Sequence, residues 1–245
     1  MIDYYKIYKQ SVNIRKRLGE SDSSPIDVFA LAQDINDLTL VLYPLGDNIS
    51  GMCVRTERAT VIAINSAMSI GRQNFSLAHE LYHYYFDTTP QTVICRKEIG
   101  SRGNEVEMAA DRFASYLLMP LGNEVLKEGE KITFEKIIAL EQYYKVSNQA
   151  MLYRLVEEGV LSLKEAEGYK KGIIRKAESL GYDTSLYRPS RSDKTYKTFG
   201  NYIKQTQRLM DKELISNGKY EQLLFEAFRA DLVYGPDNEE EELYD

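Results

Sequence analysis

The sequence contains few histidines and cysteines. It has two histidines, two cysteines and no tryptophan in 245 residues. Cys53 and Cys95 are too few for a disulfide framework, so we expect a reducing, cytoplasmic environment. The sequence has no apolar run of the length that a membrane span requires, and its first ten residues lack the apolar core of a secretion signal. We therefore expect a cytoplasmic protein without a membrane partner.

The sequence also lacks an excess of basic charge. Its 31 basic and 37 acidic residues give a net charge of −6, which argues against non-specific nucleic-acid binding by the whole molecule. Apolar residues make up 43 % and charged residues 28 % of the chain, as in soluble globular proteins. The length allows one or two domains with a sizeable core.

Both histidines lie in one short stretch, FSLAHELYHYYFD, at residues 75–87. Two randomly placed histidines would be four residues apart in roughly 0.8 % of cases, so chance is a poor explanation. On a helix His79 and His83 share one face, and both can bind the same zinc ion. Glu80 is offset around the helix and can reach a water molecule at the open position as a general base. This division of labour is that of the HExxH motif in zinc peptidases.

A catalytic zinc site needs a third protein ligand, and no histidine remains to supply it. Asp87 lies too far along the axis of the same helix. Glu107 and Asp111 are four residues apart on the next predicted helix, so Glu107 can complete the site. Asp111 can then accept a hydrogen bond from the far nitrogen of a ligand imidazole. Glu105 is the rival ligand, but no aspartate follows it one turn later. The ExxxD spacing resembles the second motif of the gluzincins, the thermolysin-like peptidases.

Other interpretations of these residues stay open. Glu107 and Asp111 are also compatible with a solvated helix face. Cys53 or Cys95 is a candidate for an inhibitory zinc ligand, although we favour an ordinary strand or loop cysteine for both. The same ligands accept manganese or cobalt in place of zinc.

The pattern of apolar residues predicts an α+β front portion followed by helices only. Ser24 and Pro25 fit the N-cap and first position of the second helix. The predicted helices are 4–18, 25–33, 71–86 and 104–119, the predicted strands are 38–45, 50–56 and 59–67, and residues 88–103 are predicted to be a loop.

We divide the chain into four parts. Residues 1–120 are predicted to form a zincin-like metallopeptidase domain, with a small twisted sheet and the active-site helices. Residues 121–165 form a segment like a helix-turn-helix, with its turn at 147–148. Residues 166–236 form a helical C-terminal region, and residues 237–245 an acidic, solvated tail.

The stretch QNFSLAHELYHYYF, followed by EVEMAADRFASYLLMP, resembles the ImmA/IrrE family of metallo-endopeptidases. The resemblance covers roughly residues 20–165. It implies a cytoplasmic zinc peptidase that cleaves a helix-turn-helix repressor, often encoded beside it in a mobile element or stress operon. It assigns His79, His83 and Glu107 to zinc and Glu80 to catalysis. The family often has Asn in place of Asp111 and Glu in place of Ala109, but Asp keeps the gluzincin-like hydrogen bond to a ligand.

Two functions from other classes compete with this interpretation. The first is a non-proteolytic module with the zincin fold, acting as a toxin, antitoxin or anti-repressor by contact alone; the intact Glu80 argues against it. The second is a DNA-binding regulator that uses residues 140–212. Residues 140–162 carry few basic side chains, which disfavours DNA reading and favours a packing or docking role. Residues 170–212 have 11 basic and four acidic residues, so direct nucleic-acid binding there is the weaker alternative to a solvated face.

The predicted sheet also offers a place for a peptide substrate. An extended peptide binds readily as an added strand along the free edge of a sheet. We expect such an edge near Ser50–Thr56.

Overall fold

The computed structural model describes residues 2–87, 91–96, 98–100, 104–121, 131–190 and 194–235. A 3-10 turn lies at Ser185–Tyr187. The strands are β1 (Leu38–Tyr43), β2 (Ile49–Arg55), β3 (Thr60–Asn65), β4 (Gln91–Arg96) and β5 (Lys197–Gly200). The helices are α1 (Tyr4–Arg17), α2 (Val28–Asp34), α3 (Ile70–Phe86), α4 (Glu105–Leu118), α5 (Phe134–Tyr144), α6 (Asn148–Glu157), α7 (Leu163–Gly168), α8 (Ile173–Ser179), α9 (Asn201–Asp211), α10 (Asn217–Glu226) and α11 (Asp231–Tyr234).

The strands form one mixed sheet in the order β4-β2-β3-β1-β5. β1 and β3 are parallel, whereas the pairs β2–β3, β2–β4 and β1–β5 are antiparallel. This small sheet with its many helices confirms the predicted α+β class, a zincin-like domain followed by a helical part. β4 lies within the stretch predicted to be a loop, so that prediction was wrong for residues 91–96.

Capping side chains set where several helices begin. Asn104 precedes α4, and its side-chain oxygen accepts hydrogen bonds from the backbone N–H groups of Val106 and Glu107. α2 begins three residues later than predicted from Ser24 and Pro25. The Asp27 carboxylate accepts the N–H of Ala30 at 2.9 Å, which makes Asp27 the N-cap.

Helix α3 lies at the centre of the core. It packs against β2 and β3 on one side and against α4 on another. Its apolar side chains join those of β3 and α4 in one buried cluster, which includes Phe75, Leu77, Leu81, Ile62 and Phe113. A helix that is enclosed in this way is held by its packing along most of its length.

Within the described C-terminal part, β5 is a strand that sequence analysis did not predict. β5 extends the sheet by pairing with β1. Gly200 ends it with φ of 79°, and a Cβ atom there would approach the Leu38 carbonyl oxygen to 2.5 Å. The predicted boundaries at 120 and 165 stay predictions, and the predicted tail at 237–245 lies outside the described residues.

The segment that resembles a helix-turn-helix consists of α5, a tight turn and α6. Lys145 ends α5 in the left-handed conformation, and Ser147 caps α6. Only Gln149 and Glu157 are exposed on α6. A helix that reads DNA needs an exposed face, so this burial favours the packing role. Among the described helices, none has the length and apolar character needed to cross a membrane.

Candidate metal centre

The predicted site residues lie on two neighbouring helices. His79, Glu80 and His83 are on α3, and Glu107 and Asp111 are on α4, which packs directly against it. Both histidines are buried, whereas the Glu107 side chain is 21 % exposed. The two helices therefore bring three candidate ligands and the candidate base together inside the fold.

The ligand atoms of three side chains face one another at the spacing that one metal ion needs. His79 Nε2 lies 3.3 Å from His83 Nε2 and 3.3 Å from Glu107 Oε2. His83 Nε2 lies 3.5 Å from Glu107 Oε1. Atoms bound to one zinc ion at roughly 2.0–2.1 Å with tetrahedral angles lie about 3.3–3.4 Å apart. The donor set and its spacing fit a divalent cation such as zinc.

A carboxylate fixes each imidazole from its far side. Asp111 Oδ1 lies 2.8 Å from His79 Nδ1, and Asp87 Oδ2 lies 2.7 Å from His83 Nδ1. The second oxygen of Asp111 accepts the backbone N–H of Gly100 at 2.6 Å. With each Nδ1–H donated to a carboxylate, both Nε2 atoms are left to face Glu107, as in metal sites where carboxylates orient histidine ligands.

The partner of His83 was missed by sequence analysis. We considered Asp87 only as a third ligand and rejected it because it lies further along the helix axis. Its position four residues after His83 places it on the same face, at the end of α3, where it reaches the outer nitrogen of the ring. That i, i+4 spacing was the available signal.

Glu80 is fully buried beside the sheet. Its exposed fraction is 0 %, and neither carboxylate oxygen has a hydrogen-bond partner among the described residues. A Cβ atom on Gly51 of β2 would lie 2.7 Å from Glu80 Oε1, so glycine leaves the space for this carboxylate. Burial raises the pKa of Glu80 from 4.5 to about 7.

The carboxylates around the two histidines give the site an electrostatic environment that favours a cation. Burial alone would lower the pKa of His79, but the hydrogen bond to Asp111 helps to raise it well above its usual value. Burial and the charge of His79 lower the pKa of His83. Burial alone would raise the pKa of Glu107, but the two histidines lower it. The site therefore stabilises positive charge between carboxylates, as a site for a divalent ion must.

The two cysteines differ in their relation to the site. Cys95 of β4 belongs to a group of candidate ligands with His79, His83 and Glu107, whose ligand atoms all lie within 4.8 Å of one another. Cys53 of β2 is buried but is not in that group, which was sought among the described residues. We favoured an ordinary role for both cysteines, and the structure places Cys95 among the candidate ligands instead.

The predicted edge for substrate near Ser50–Thr56 is not free. β2 pairs with β3 on one side and with β4 on the other. Its backbone N–H and C=O groups are therefore already used in two ladders, and a peptide cannot add there while β4 is in place. This prediction was wrong because β4 was taken for a loop.

Residues 35–156 match the model of the Peptidase_M78 family, described as the IrrE N-terminal-like domain. The chain belongs to this family. The match runs from the end of α2 to α6 and includes every residue of the candidate metal centre. Membership of Peptidase_M78 indicates a metallopeptidase, in agreement with the group of candidate ligands His79, His83, Cys95 and Glu107. No curated protein matches the chain.

Proposed function

We propose that this Peptidase_M78 protein is a zinc-dependent endopeptidase that cleaves a helix-turn-helix transcriptional repressor. The observation that carries the peptidase part is the close approach of three side chains: His79 Nε2 lies 3.3 Å from His83 Nε2 and 3.3 Å from Glu107 Oε2, and His83 Nε2 lies 3.5 Å from Glu107 Oε1. The buried carboxylate of Glu80, adjacent to His79 on α3, supplies the general base. The substrate part rests on the resemblance of the sequence to the ImmA/IrrE family.

Each residue of the site has a distinct task in this mechanism. His79, His83 and Glu107 would hold the ion, and Asp111 and Asp87 keep both imidazoles pointing at it. When bound, a divalent ion supplies Lewis-acid polarisation of the scissile carbonyl and acidifies water.

Glu80 performs the proton transfers. It accepts the proton of the attacking water and passes it to the nitrogen of the leaving amine. A pKa of about 7 suits both steps, since the same carboxyl must be a base first and an acid afterwards.

The matched pair Glu80→Gln and Glu105→Gln tests this function. Glu105 was the rival candidate for the third ligand, but it is not in the ligand group found among the described residues. The zinc-loaded full chain is incubated with the helix-turn-helix protein encoded by the adjacent reading frame, and mass spectrometry follows its fragments. We expect Glu80→Gln to lose about 10²- to 10⁴-fold in rate while keeping its zinc, and Glu105→Gln to cleave normally.

Each other outcome would exclude a different part of the proposal. Cleavage by Glu80→Gln at the rate of the unaltered chain would exclude Glu80 as the base. Cleavage of a mixed peptide library without cleavage of the repressor would leave the peptidase in place and remove the repressor as substrate. An unchanged cellular phenotype in Glu80→Gln would support the non-proteolytic binding module instead.

A further inference from the structure

The edge strand β4 covers the metal centre with a cysteine. Cys95 is paired with Gly51 of β2. Paired residues of neighbouring strands point to the same face of a sheet, and Gly51 lies against the Glu80 carboxylate. Cys95 therefore faces α3 and its ligands, and its exposed fraction is 0 %.

The Cys95 thiol is the fourth member of the ligand group. Its sulfur lies within 4.8 Å of each of the other candidate ligand atoms, on His79, His83 and Glu107. Catalytic zinc sites have three protein ligands and one open position, whereas four protein ligands close the site. As a ligand, Cys95 would therefore take the position that the water or the substrate carbonyl must occupy.

The burial of Glu80 is a second observation that indicates a closed site. A general base must come within hydrogen-bond reach of a water molecule and of the substrate. Glu80 has no exposed surface, and its two oxygens accept no hydrogen bond from the described residues. β4 and β2 enclose this carboxylate, so the base is correctly placed but shut off from an incoming peptide.

We propose that Cys95 is a fourth ligand of the metal ion and that β4 closes the active site in the place of an extended substrate segment. This inference rests on the proposed peptidase function. Cys95 binds as the thiolate, and its proton is released to solvent when the metal binds, without any change of oxidation state. A peptide that pairs with β2 displaces β4, removes the thiolate and gains access to Glu80. The enzyme is thus latent until its protein substrate opens the site.

Cobalt substitution tests the ligand directly, without any turnover. The full chain, Cys95→Ala and Cys53→Ala are loaded with cobalt, and their absorption spectra are compared. Cys53→Ala is the matched control, because Cys53 is equally buried on the neighbouring strand but lies outside the ligand group. We expect a thiolate-to-cobalt charge-transfer band in the unaltered chain and in Cys53→Ala, and its loss in Cys95→Ala.

The d–d bands of tetrahedral cobalt report bound metal whether or not a thiolate is a ligand. They therefore distinguish the proposed role of Cys95 from the proposed peptidase function. Bound cobalt without a thiolate band in the unaltered chain would overturn the role of Cys95 and leave the peptidase intact. Failure of the unaltered chain to bind cobalt would overturn both. In case Cys95→Ala does not fold, iodoacetamide labelling of the unaltered chain gives the same answer. Zinc should slow the labelling of Cys95 at least about tenfold, and an equal rate with and without zinc would contradict the proposal.

Latency is tested by the cleavage rate of the two alanine variants. If the open conformation is populated at about 10 % or less, the cleavage rate is reduced to that fraction of its maximum. Removing the closing ligand should therefore raise the rate at which the adjacent-frame repressor is cleaved at least about tenfold. Cys53→Ala should cleave as the unaltered chain does. Equal or lower cleavage by Cys95→Ala would show that the thiolate does not hold the enzyme shut, and the closed site would then be structural.

Discussion

The helix pair α3–α4 and the strand β4 meet at the metal centre but are attached to the fold in different ways. α3 packs against the sheet and against α4, and its side chains at Phe75, Leu77 and Leu81 are buried in the main core. β4 is hydrogen-bonded to β2 alone within the described sheet, and its Ile94 side chain is 54 % exposed.

The difference separates a fixed part of the site from an exchangeable part. The helices hold His79, His83 and Glu107 in a ligand geometry that their packing maintains. An edge strand with one neighbour opens at a lower free energy than elements in the core. The three ligands on the helices can therefore keep the metal ion while its fourth coordination position is taken by either Cys95 or the substrate.

Removal of a ligand on α3 should have the largest effect. A structural zinc site contributes about 10–16 kcal/mol in all, so a ligand that the packed core holds in place should contribute roughly 2.5–4 kcal/mol, or about 100- to 1,000-fold in affinity. Cys95, on the exchangeable edge strand, should contribute less. We expect His83→Ala to lose zinc affinity by this factor in a competition with a chromophoric chelator. If Cys95→Ala lost as much zinc affinity as His83→Ala, the helix pair and β4 would hold the metal equally. The distinction between a fixed and an exchangeable part of the site would then be wrong.

The buried Glu80 should make the metal-free protein less stable as the pH rises. Its folded-state pKa of about 7 lies above the usual 4.5, so its contribution to stability is complete below pH 4.5 and is lost as the pH rises through 7. The shift corresponds to roughly 3 kcal/mol. Urea unfolding in the presence of a chelator should show this change with pH. The free energy of unfolding of Glu80→Gln, relative to that of the unaltered chain, should rise by this amount between pH 4.5 and pH 8. A difference that does not change with pH would contradict the buried, unpaired carboxylate.

The carboxylates behind the histidines should have a smaller effect on the metal. Partners of metal ligands typically contribute about 10- to 100-fold in affinity. We expect Asp111→Asn and Asp87→Asn both to fall in this range, with the larger loss at Asp111, because it is more deeply buried and also accepts the Gly100 N–H. The same chelator competition measures both. An Asp87→Asn variant with unchanged affinity would show that its contact to His83 does not orient the ring.

Hydrogen exchange should show the smallest difference, and it compares the two regions directly. In the metal-free chain the amides of β4 should exchange faster than those of α3 and β3. Zinc should slow the exchange of β4 in the unaltered chain but not in Cys95→Ala. Equal protection of β4 and β3 in the metal-free chain would argue against a displaceable strand.

The helices of the site were predictable because their signals are local. The HELYH pattern, the apolar period and the pair Glu107–Asp111 lie within single helices, and the structure begins α3 and α4 within one residue of the predicted starts. The i, i+4 spacing also placed Asp111 behind a ligand imidazole, as the structure shows.

β4 was not predictable because little of its sequence faces the core. Thr92, Ile94 and Arg96 are exposed and Cys95 is buried, but the exposed Ile94 is apolar, so the alternation in burial does not appear as an alternation of apolar and polar residues in the sequence. The pairing of β4 with β2 joins residues from 36 (Arg55 and Gln91) to 47 (Ile49 and Arg96) positions apart, which no local signal contains. β5 was not predicted either, because it has only four residues and pairs with the distant β1. The position of Cys95 in the metal centre follows from that pairing and was therefore invisible in the sequence.

The zinc content of Glu107→Gln, compared with Glu105→Gln, tests the helix-pair metal centre most directly. Both changes remove one carboxylate from the first turn of α4, but only Glu107 lies 3.3 Å from His79 Nε2. After dialysis against a weak chelator, we expect one zinc ion per chain in the unaltered protein and in Glu105→Gln, and loss of zinc from Glu107→Gln. Full retention of zinc by Glu107→Gln would contradict the metal centre described for this protein.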